Sequence, residues 1–247
     1  MMNPVLQVVL PGMVASSYPI WMGSTLLENI SVWMPKHQGS LVIITDHSVK
    51  KHYASRLKKA LIKAGYHTDL WSFPAGERSK NRKIKAQIEE KMLAHGCDRD
   101  TLILAVGGGV VGDLAGFIAA TYMRGIAYLQ VPTTLLAMID SAVGGKTGID
   151  TPQGKNLIGA FWQPTAVISD IGCLKTLPQH HLINGLCEAL KIFLIQDIEG
   201  LHHLERHLNA ILMREEAALM VLIRRAVQLK ADIVRRDARE CGQRVVL

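Results

Sequence analysis

The sequence predicts an α/β fold: an N-terminal Rossmann-like parallel sheet followed by an all-helical C-terminal part. Three observations predict it. From Leu41 to Val131, short apolar runs alternate with segments of helical periodicity. The glycine-rich run GGGVVGD, Gly107 to Asp113, joins one apolar run, TLILAV, to a helix-like stretch, LAGFIAATY. From Gln179 to Arg236 the chain consists almost wholly of helix formers with apolar residues at helical spacing. Strand–helix alternation builds a parallel sheet covered on both faces, which is why its strands read as continuous apolar runs. A 247-residue chain that is 49% apolar can bury the core this requires.

Taken in order, the apolar stretch Val5 to Leu10 has no preceding lysine or arginine and is interrupted by Pro11, which argues against a signal peptide. Leu41 to Thr45 is a β-branched strand ending at Asp46, and Ser48 is the expected cap of a helix that runs to Gly65. Tyr66 to Phe73 reads as a strand, PAGERSK as a loop, Asn81 to His95 as an amphipathic helix, and Thr101 to Val106 as a buried strand. After the glycine loop and its helix comes the strand Ala127 to Val131, with Pro132 at its end because proline cannot donate to a ladder. GGKTGIDTPQGKN reads as a loop and Thr165 to Ser169 as a further strand. A boundary near Cys173 to Pro178 divides the chain into an α/β domain, 1–173, and a helical domain, 174–247, whose helices break near Asp197 and Arg214.

The net charge of +7 suits anionic ligands. The basic residues are scattered except in Lys50 to Lys63 and Arg78 to Lys91, which read as solvated helix faces, and no nucleic-acid-binding module accompanies them. Cys97, Cys173, Cys187 and Cys241 form no C-x-x-C pair and are expected to be buried free thiols. The longest apolar runs are too short for a bilayer, so the expectation is a soluble, cytoplasmic protein with no membrane partner.

Glycine after a strand and before a helix lets backbone N–H groups approach a phosphate, and the helix start adds its positive dipole end. Gly107, Gly109 and Gly112 fit G-x-G-x-x-G, yet no acid stands about 20 residues beyond the loop, where that dinucleotide pattern wants one. The nearest downstream acid is Asp140. DSAVGGKTG, Asp140 to Gly148, fails as a P-loop because Asp140 stands where the first glycine is needed. It leaves Lys146 beside a carboxylate, with Lys155 following in GKN, and two loop ammoniums suit a phosphate or carboxylate. In CEALK, Glu188 and Lys191 share a helix face among apolar neighbours, which favours an inward carboxylate that is paired or binds a cation. His203 and His207 have ligand spacing without the H-E-x-x-H glutamate and read as structural, and His180 and His181 are undiagnostic. Glu77 and Lys80 of PAGERSK sit at a strand's carboxyl end, where open sheets bind ligands.

Together SYPI, PAGERSK, GGGVVGDLAGF, YMRG, QVPTTLLAMIDSAVGGKTGID, GKNLIGAFWQP, CLKTLP, GLCEALK and LKADIVRRDARECGQR resemble the 3-dehydroquinate synthase family in order and over nearly the whole chain. The resemblance implies conversion of a seven-carbon keto-sugar acid phosphate to a carbocycle, with NAD reduced and regenerated in each cycle. It implies that Asp46, Glu77, Lys80, Gly108, Gly109, Asp113, Thr133, Thr134 and Thr176 hold NAD. It implies that Asp140, Lys146, Lys155, Asn156, Lys191, Lys230 and Arg244 hold the substrate, and that Arg124 reaches a neighbouring subunit's site in a homodimer. Glu188 would be one ligand of a catalytic zinc or cobalt ion. The resemblance further implies a C-terminally shortened form: GQRVVL stands just before the family's asparagine and two histidine ligands, so an incomplete metal site and exposed apolar helix surface are expected. Ala142, where the family commonly has serine, and Ser48, where it more often has asparagine, are smaller departures. The alternatives are a related sugar phosphate cyclase and an inactive NAD-binding remnant.

Overall fold

The computed structural model describes residues 17–238, 240 and 242, and the backbone of 6–9. Its main sheet has seven strands: β1 (Leu6–Val9), β2 (Ser17–Gly23), β3 (Leu41–Asp46), β4 (Thr68–Phe73), β5 (Leu102–Gly107), β6 (Tyr128–Pro132) and β9 (Val167–Asp170), in the order β1-β2-β9-β6-β5-β3-β4. From β2 to β4 all neighbours are parallel, and β1 is antiparallel on β2. The side-chain period of two explains how this sheet is covered. Leu41 and Ile43 of β3, with Leu102 and Leu104 of β5, pack beside Leu57 and Leu61 of helix α3 (Ser55–Lys63). Val42, Ile44, Ile103 and Ala105 point the other way, onto α4 (Arg82–Ala94) and α5 (Gly109–Thr121).

Short helical turns α1 (Ile30–Trp33) and α2 (His47–Val49) complete the first half. The expected cap at Ser48 is corrected: Asp46 caps α2, its Oδ1 accepting the N–H groups of Ser48 at 2.8 Å and Val49 at 2.9 Å. Asp46 is the better placed residue because it keeps extended backbone at the strand end, as an N-cap must. The chain leaves α3 through Gly65, whose φ of +93° is a conformation that L side chains resist.

A second correction concerns GGKTGIDTPQGKN, which is no loop. Lys146–Thr151 (β7) and Gly154–Phe161 (β8) form an antiparallel hairpin. Its glycines read as breakers but act as contact points. A Cβ on Gly148 would stand 2.8 Å from the Ile158 carbonyl oxygen, and one on Gly159 would overlap the Thr147 carbonyl.

Beyond Pro178 lie α6 (Gln179–Gln196), α7 (Ile198–Leu212) and α8 (Glu216–Arg236), interrupted at Asp197 and after Leu212, near the two expected breaks. They bury Leu186, Phe193, Leu222 and Ile223 in one cluster with Ile20 of β2 and with Leu135, Met138 and Ile139. Cys97 and Cys173 are buried free thiols, but Cys187 is exposed on α6, against expectation, because its position faces away from that cluster; Cys241 lies outside the described residues. Among the described residues no helix is long and apolar enough to cross a membrane.

Asp170, at the end of β9, ties the first half together. It is 5% exposed and accepts the N–H groups of Thr25 at 3.1 Å, Leu27 at 3.0 Å and Gly172 at 2.9 Å. Asp170→Ala strands three donors, and we expect a loss of about 2 kcal/mol, read as a lower urea midpoint at unchanged slope. An unchanged midpoint would show that water replaces the carboxylate at no cost.

Candidate active site

The carboxyl ends of β3, β4, β5, β6 and β9 form one rim. Strand β5 stops at Gly107, Gly108 is the extended N-cap, and α5 begins at Gly109, so the first turn of a thirteen-residue helix directs its unpaired N–H groups at this rim. The loop is packed closely from beneath. A Cβ on Gly108 would lie 3.1 Å from Thr134 Cγ2, one on Gly109 3.3 Å from Ser141 Oγ, and one on Gly107 inside the Val111 side chain. Thr133 N donates to the Gly107 carbonyl at 2.9 Å, which fixes the β6 end against the loop. The Thr133 Oγ1 is sealed from solvent without a hydrogen-bond partner among the described residues. Glycine N–H groups at a helix start and an orphaned hydroxyl beside them fit the phosphates of a dinucleotide. Asp46 stands at the β3 end, as α2's cap. Thr176 lies 2.5 Å from the Tyr53 hydroxyl, which also donates to the Cys173 carbonyl at 3.0 Å.

One buried ammonium organises the next part of the rim. Lys80 is 4% exposed, and a charge removed from water must be paired. Its Nζ is 3.1 Å from Glu77 Oε1, 3.1 Å from Asp113 Oδ2, 3.6 Å from Asp150 Oδ1 and 2.6 Å from the Asn156 Oδ1, to which it donates. Burial pushes the Asp113 carboxyl up to about 6 even though Lys80 pulls it down, and the nearby Glu77 and Asp140 carboxylates add to the rise. Lys80 itself titrates above the ordinary lysine range: burial disfavours its charge, but Asp113 and Glu77 outweigh burial.

The sign of the Asp113 shift fixes a pH effect. A raised native pKa means the folded chain holds this proton more tightly than the unfolded chain does. The resulting stability is complete below the unfolded value near 4 and is lost as pH rises through about 6. Asp113→Asn is therefore expected to flatten the fall in unfolding free energy between pH 4 and pH 6. Denaturant titrations across that window check it, and an equal slope in both proteins would contradict the assignment.

Beside this network is a cavity of about 530 Å³ bounded by Asp113, Asp140, Lys146, Asn156, Lys230 and Glu240 among others. Lys230, 5% exposed, lies 2.6 Å from Asp140 Oδ1, and Lys146 pairs with Glu240. A slightly larger cleft, about 590 Å³, lies between Gln196, Val221, Arg225 and Gln228, but it contains no expected site residue and its Asp197 and Arg225 pair with each other.

The structure thus gathers Asp113, Asp140, Lys146, Asn156 and Lys230 around one space and sets Glu77 and Lys80 behind it. Lys155 is 72% exposed, 3.9 Å from Glu77, and does not line the cavity; Lys191 does not line it either and is paired with Glu188 at 2.6 Å. Arg124 is exposed on a turn where Met123, Arg124 and Gly125 have φ of 51°, 69° and 117° in succession. Arg244 lies outside the described residues. Asp150 and Glu240 were missed from sequence, because the hairpin read as a loop and nothing local ties Glu240 to Lys146 across the chain.

Glu188 is inward-facing as expected: its Oε1 is sealed from solvent, close to Lys191 Nζ but without an aligned hydrogen-bond donor among the described residues. A buried carboxylate oxygen paired with a neighbouring ammonium fits one ligand of a cation. Among the described residues no three histidine, cysteine, aspartate or glutamate side chains converge, so these residues alone do not make a zinc site. His203 and His207 stack on each other with ring centres 4.5 Å apart.

Two family models match: residues 70–184 match the 3-dehydroquinate synthase N-terminal domain and 185–247 the C-terminal domain. Among curated relatives, a 3-dehydroquinate synthase of Nitrosomonas europaea is 44% identical over 94% of this chain, and one of Acidithiobacillus ferrooxidans is 46% identical over 94%. The chain spans 63% and 64% of those relatives' lengths. Among solved structures it is similar to a 2-epi-5-epi-valiolone synthase of Streptomyces hygroscopicus with NAD+ and Zn2+ bound, at TM-score 0.85 and 30% identity, covering 95% of this chain and 66% of the other. It is also similar to a 2-deoxy-scyllo-inosose synthase complexed with carbaglucose-6-phosphate, NAD+ and Co2+, at TM-score 0.85 and 25% identity, covering 98% and 65%.

Proposed function

The chain belongs to the 3-dehydroquinate synthase family, and from that premise we propose that it carries the NAD-binding and most of the substrate-binding parts of a 3-dehydroquinate synthase. The reaction is conversion of 3-deoxy-D-arabino-heptulosonate 7-phosphate to 3-dehydroquinate with elimination of phosphate. The observation that carries this reading is Asp113, which stands just past the first turn of the glycine-capped helix and also lines the cavity with Lys146 and Lys230. A nucleotide site and an anion site therefore share one carboxylate.

NAD, when bound, would supply reversible hydride chemistry at the carbon bearing a ring hydroxyl: the transient ketone acidifies the neighbouring C–H so that phosphate can leave before the hydride is returned. The chain's residues do the holding. Gly108 and Gly109 present N–H groups to pyrophosphate, with Thr133 and Thr134 beside them, and Asp46, Glu77 and Asp113 are acceptors for ribose hydroxyls. Asp140 accepts from a substrate hydroxyl, Asn156 donates its amide, and Lys146 and Lys230 neutralise phosphate and carboxylate. Glu188 would contribute one oxygen toward a divalent cation. In the same reading Arg124, exposed on its turn, faces the partner's site in a homodimer. Division into an α/β domain, 1–173, and a helical domain, and a cytoplasmic location, belong to the same reading.

A second reading, another sugar phosphate cyclase, is favoured by the valiolone and inosose synthase likenesses. Calorimetric titration with NAD present separates them. A dehydroquinate synthase is expected to bind the heptulosonate phosphate at least about tenfold tighter than glucose 6-phosphate, because one anionic group the cavity lysines accept is missing from the latter, and a tenfold ratio is about 1.4 kcal/mol. A preference for the sugar without a carboxylate would reverse the assignment.

A further inference from the structure

The β7–β8 hairpin carries Lys155 and Asn156 on an irregularity. Its pairing runs regularly from Lys146 opposite Phe161 to Ile149 opposite Ile158, then jumps to Thr151 opposite Gly154, so Lys155, Asn156 and Leu157 stand opposite Asp150 alone. Extra residues in one strand bend it and re-aim its side chains, a device common beside active sites. Asn156 takes the strain, with φ of +57° in the left-handed region that few residues other than glycine and asparagine enter.

What holds this bulge is Asp150. Its Oδ1 accepts the Asn156 backbone N–H at 2.9 Å, satisfying a donor that the broken ladder leaves over. Its own N–H donates to the Lys80 carbonyl at 2.8 Å, which anchors the hairpin to the loop after β4. Lys80 Nζ closes the circuit, donating to the Asn156 Oδ1 at 2.6 Å and lying 3.6 Å from Asp150 Oδ1. The bulged residue is thereby fixed at both its backbone and its side chain, with one grip from each partner. The same ammonium contacts Glu77 and Asp113, so the hairpin that lines the cavity is tied to the acids of the nucleotide rim.

We propose that Asp150 is a positioning residue: by accepting the Asn156 N–H it holds the bulge so that the Asn156 amide serves the anionic group of the substrate. The proposal rests on the reading of the cavity as the substrate site. Asp150 touches no ligand itself. Its essential property is an oxygen acceptor at one point, which an asparagine supplies and an alanine does not.

The test uses the whole chain, with NAD and inorganic phosphate as probes, in calorimetric titrations of the native protein, Asp150→Asn and Asp150→Ala, alongside thermal unfolding. For Asp150→Ala we expect phosphate affinity measured with NAD present to fall at least tenfold, while NAD affinity measured alone stays within threefold. Asp150→Asn should restore phosphate affinity to within threefold of native, a rescue that general loosening of the hairpin would not give. Equal phosphate binding by native protein and Asp150→Ala overturns the proposal. So does an equal loss in both variants, which would assign the effect to charge, or a parallel loss of NAD and phosphate binding in Asp150→Ala, which would assign it to general structure. If native protein binds neither probe, the reading of the site fails as well, and that outcome is visible before any variant is made.

Discussion

Gly109→Trp is expected to abolish NAD binding, lowering affinity at least a hundredfold, about 2.7 kcal/mol, while leaving the fold intact. The expectation rests on where the side chain must go. Gly109 is the first residue of α5, its φ is not in the left-handed region, and a Cβ there would meet Ser141 Oγ at 3.3 Å with no backbone atom nearer. A methyl group is thus tolerated with a small shift of the Ser141 hydroxyl. An indole has no room beneath the loop, and it must rise over the helix start, where it covers the N–H groups that would face pyrophosphate. Gly109→Ala should therefore retain most of the affinity. Calorimetry with NAD reads the difference, and unfolding midpoints within a few degrees of native show that the loss is local. Unchanged affinity in the tryptophan variant would remove the cradle from the account.

The second large effect is on stability. Lys80→Met is expected to cost about 3–5 kcal/mol at pH 8, the range for removing one partner of a buried ion pair. Glu77, 41% exposed, can turn toward water, but Asp113 and Asp150 are 20% and 18% exposed and cannot do so freely. Asp113 limits the damage by taking up a proton. Its carboxyl already titrates near 6 with Lys80 present, and without that ammonium it rises further. The cost should accordingly be smaller at pH 5, where Asp113 is largely protonated in both proteins, and grow as pH rises to 8. Urea titrations at the two pH values check this, and a cost independent of pH would show that the methionine acts through packing instead.

Five strands of the sheet were legible, chiefly because a strand buried on both faces is written as an unbroken apolar run, whereas β1 and β2 were not expected. Leu41–Asp46 is one residue longer than expected, and Leu102–Gly107 is shifted by one residue at both ends. The three C-terminal helices were legible for a related reason, since their breaks at Asp197 and after Leu212 interrupt a long helical periodicity. The β7–β8 hairpin was not. Gly148 and Gly159, which let two backbones touch, look identical in sequence to glycines that end a strand. That misreading hid Asp150, whose role exists only once Asn156 is folded opposite it. Of the site, the glycine turn, Lys80 and Lys146 could be read from local chemistry. The convergence of Asp113, Asp140, Asn156 and Lys230 could not, because residues more than a hundred positions apart meet only through the packing of α8 against the segment after β6.

The most direct test of the whole account is a crystal structure of the chain grown with NAD. The account predicts pyrophosphate oxygens on the Gly108 and Gly109 N–H groups and a ribose within hydrogen-bond reach of Asp113, with the sugar end opening toward Lys146 and Lys230. Dinucleotide bound elsewhere, or an empty rim at saturating NAD, would contradict it.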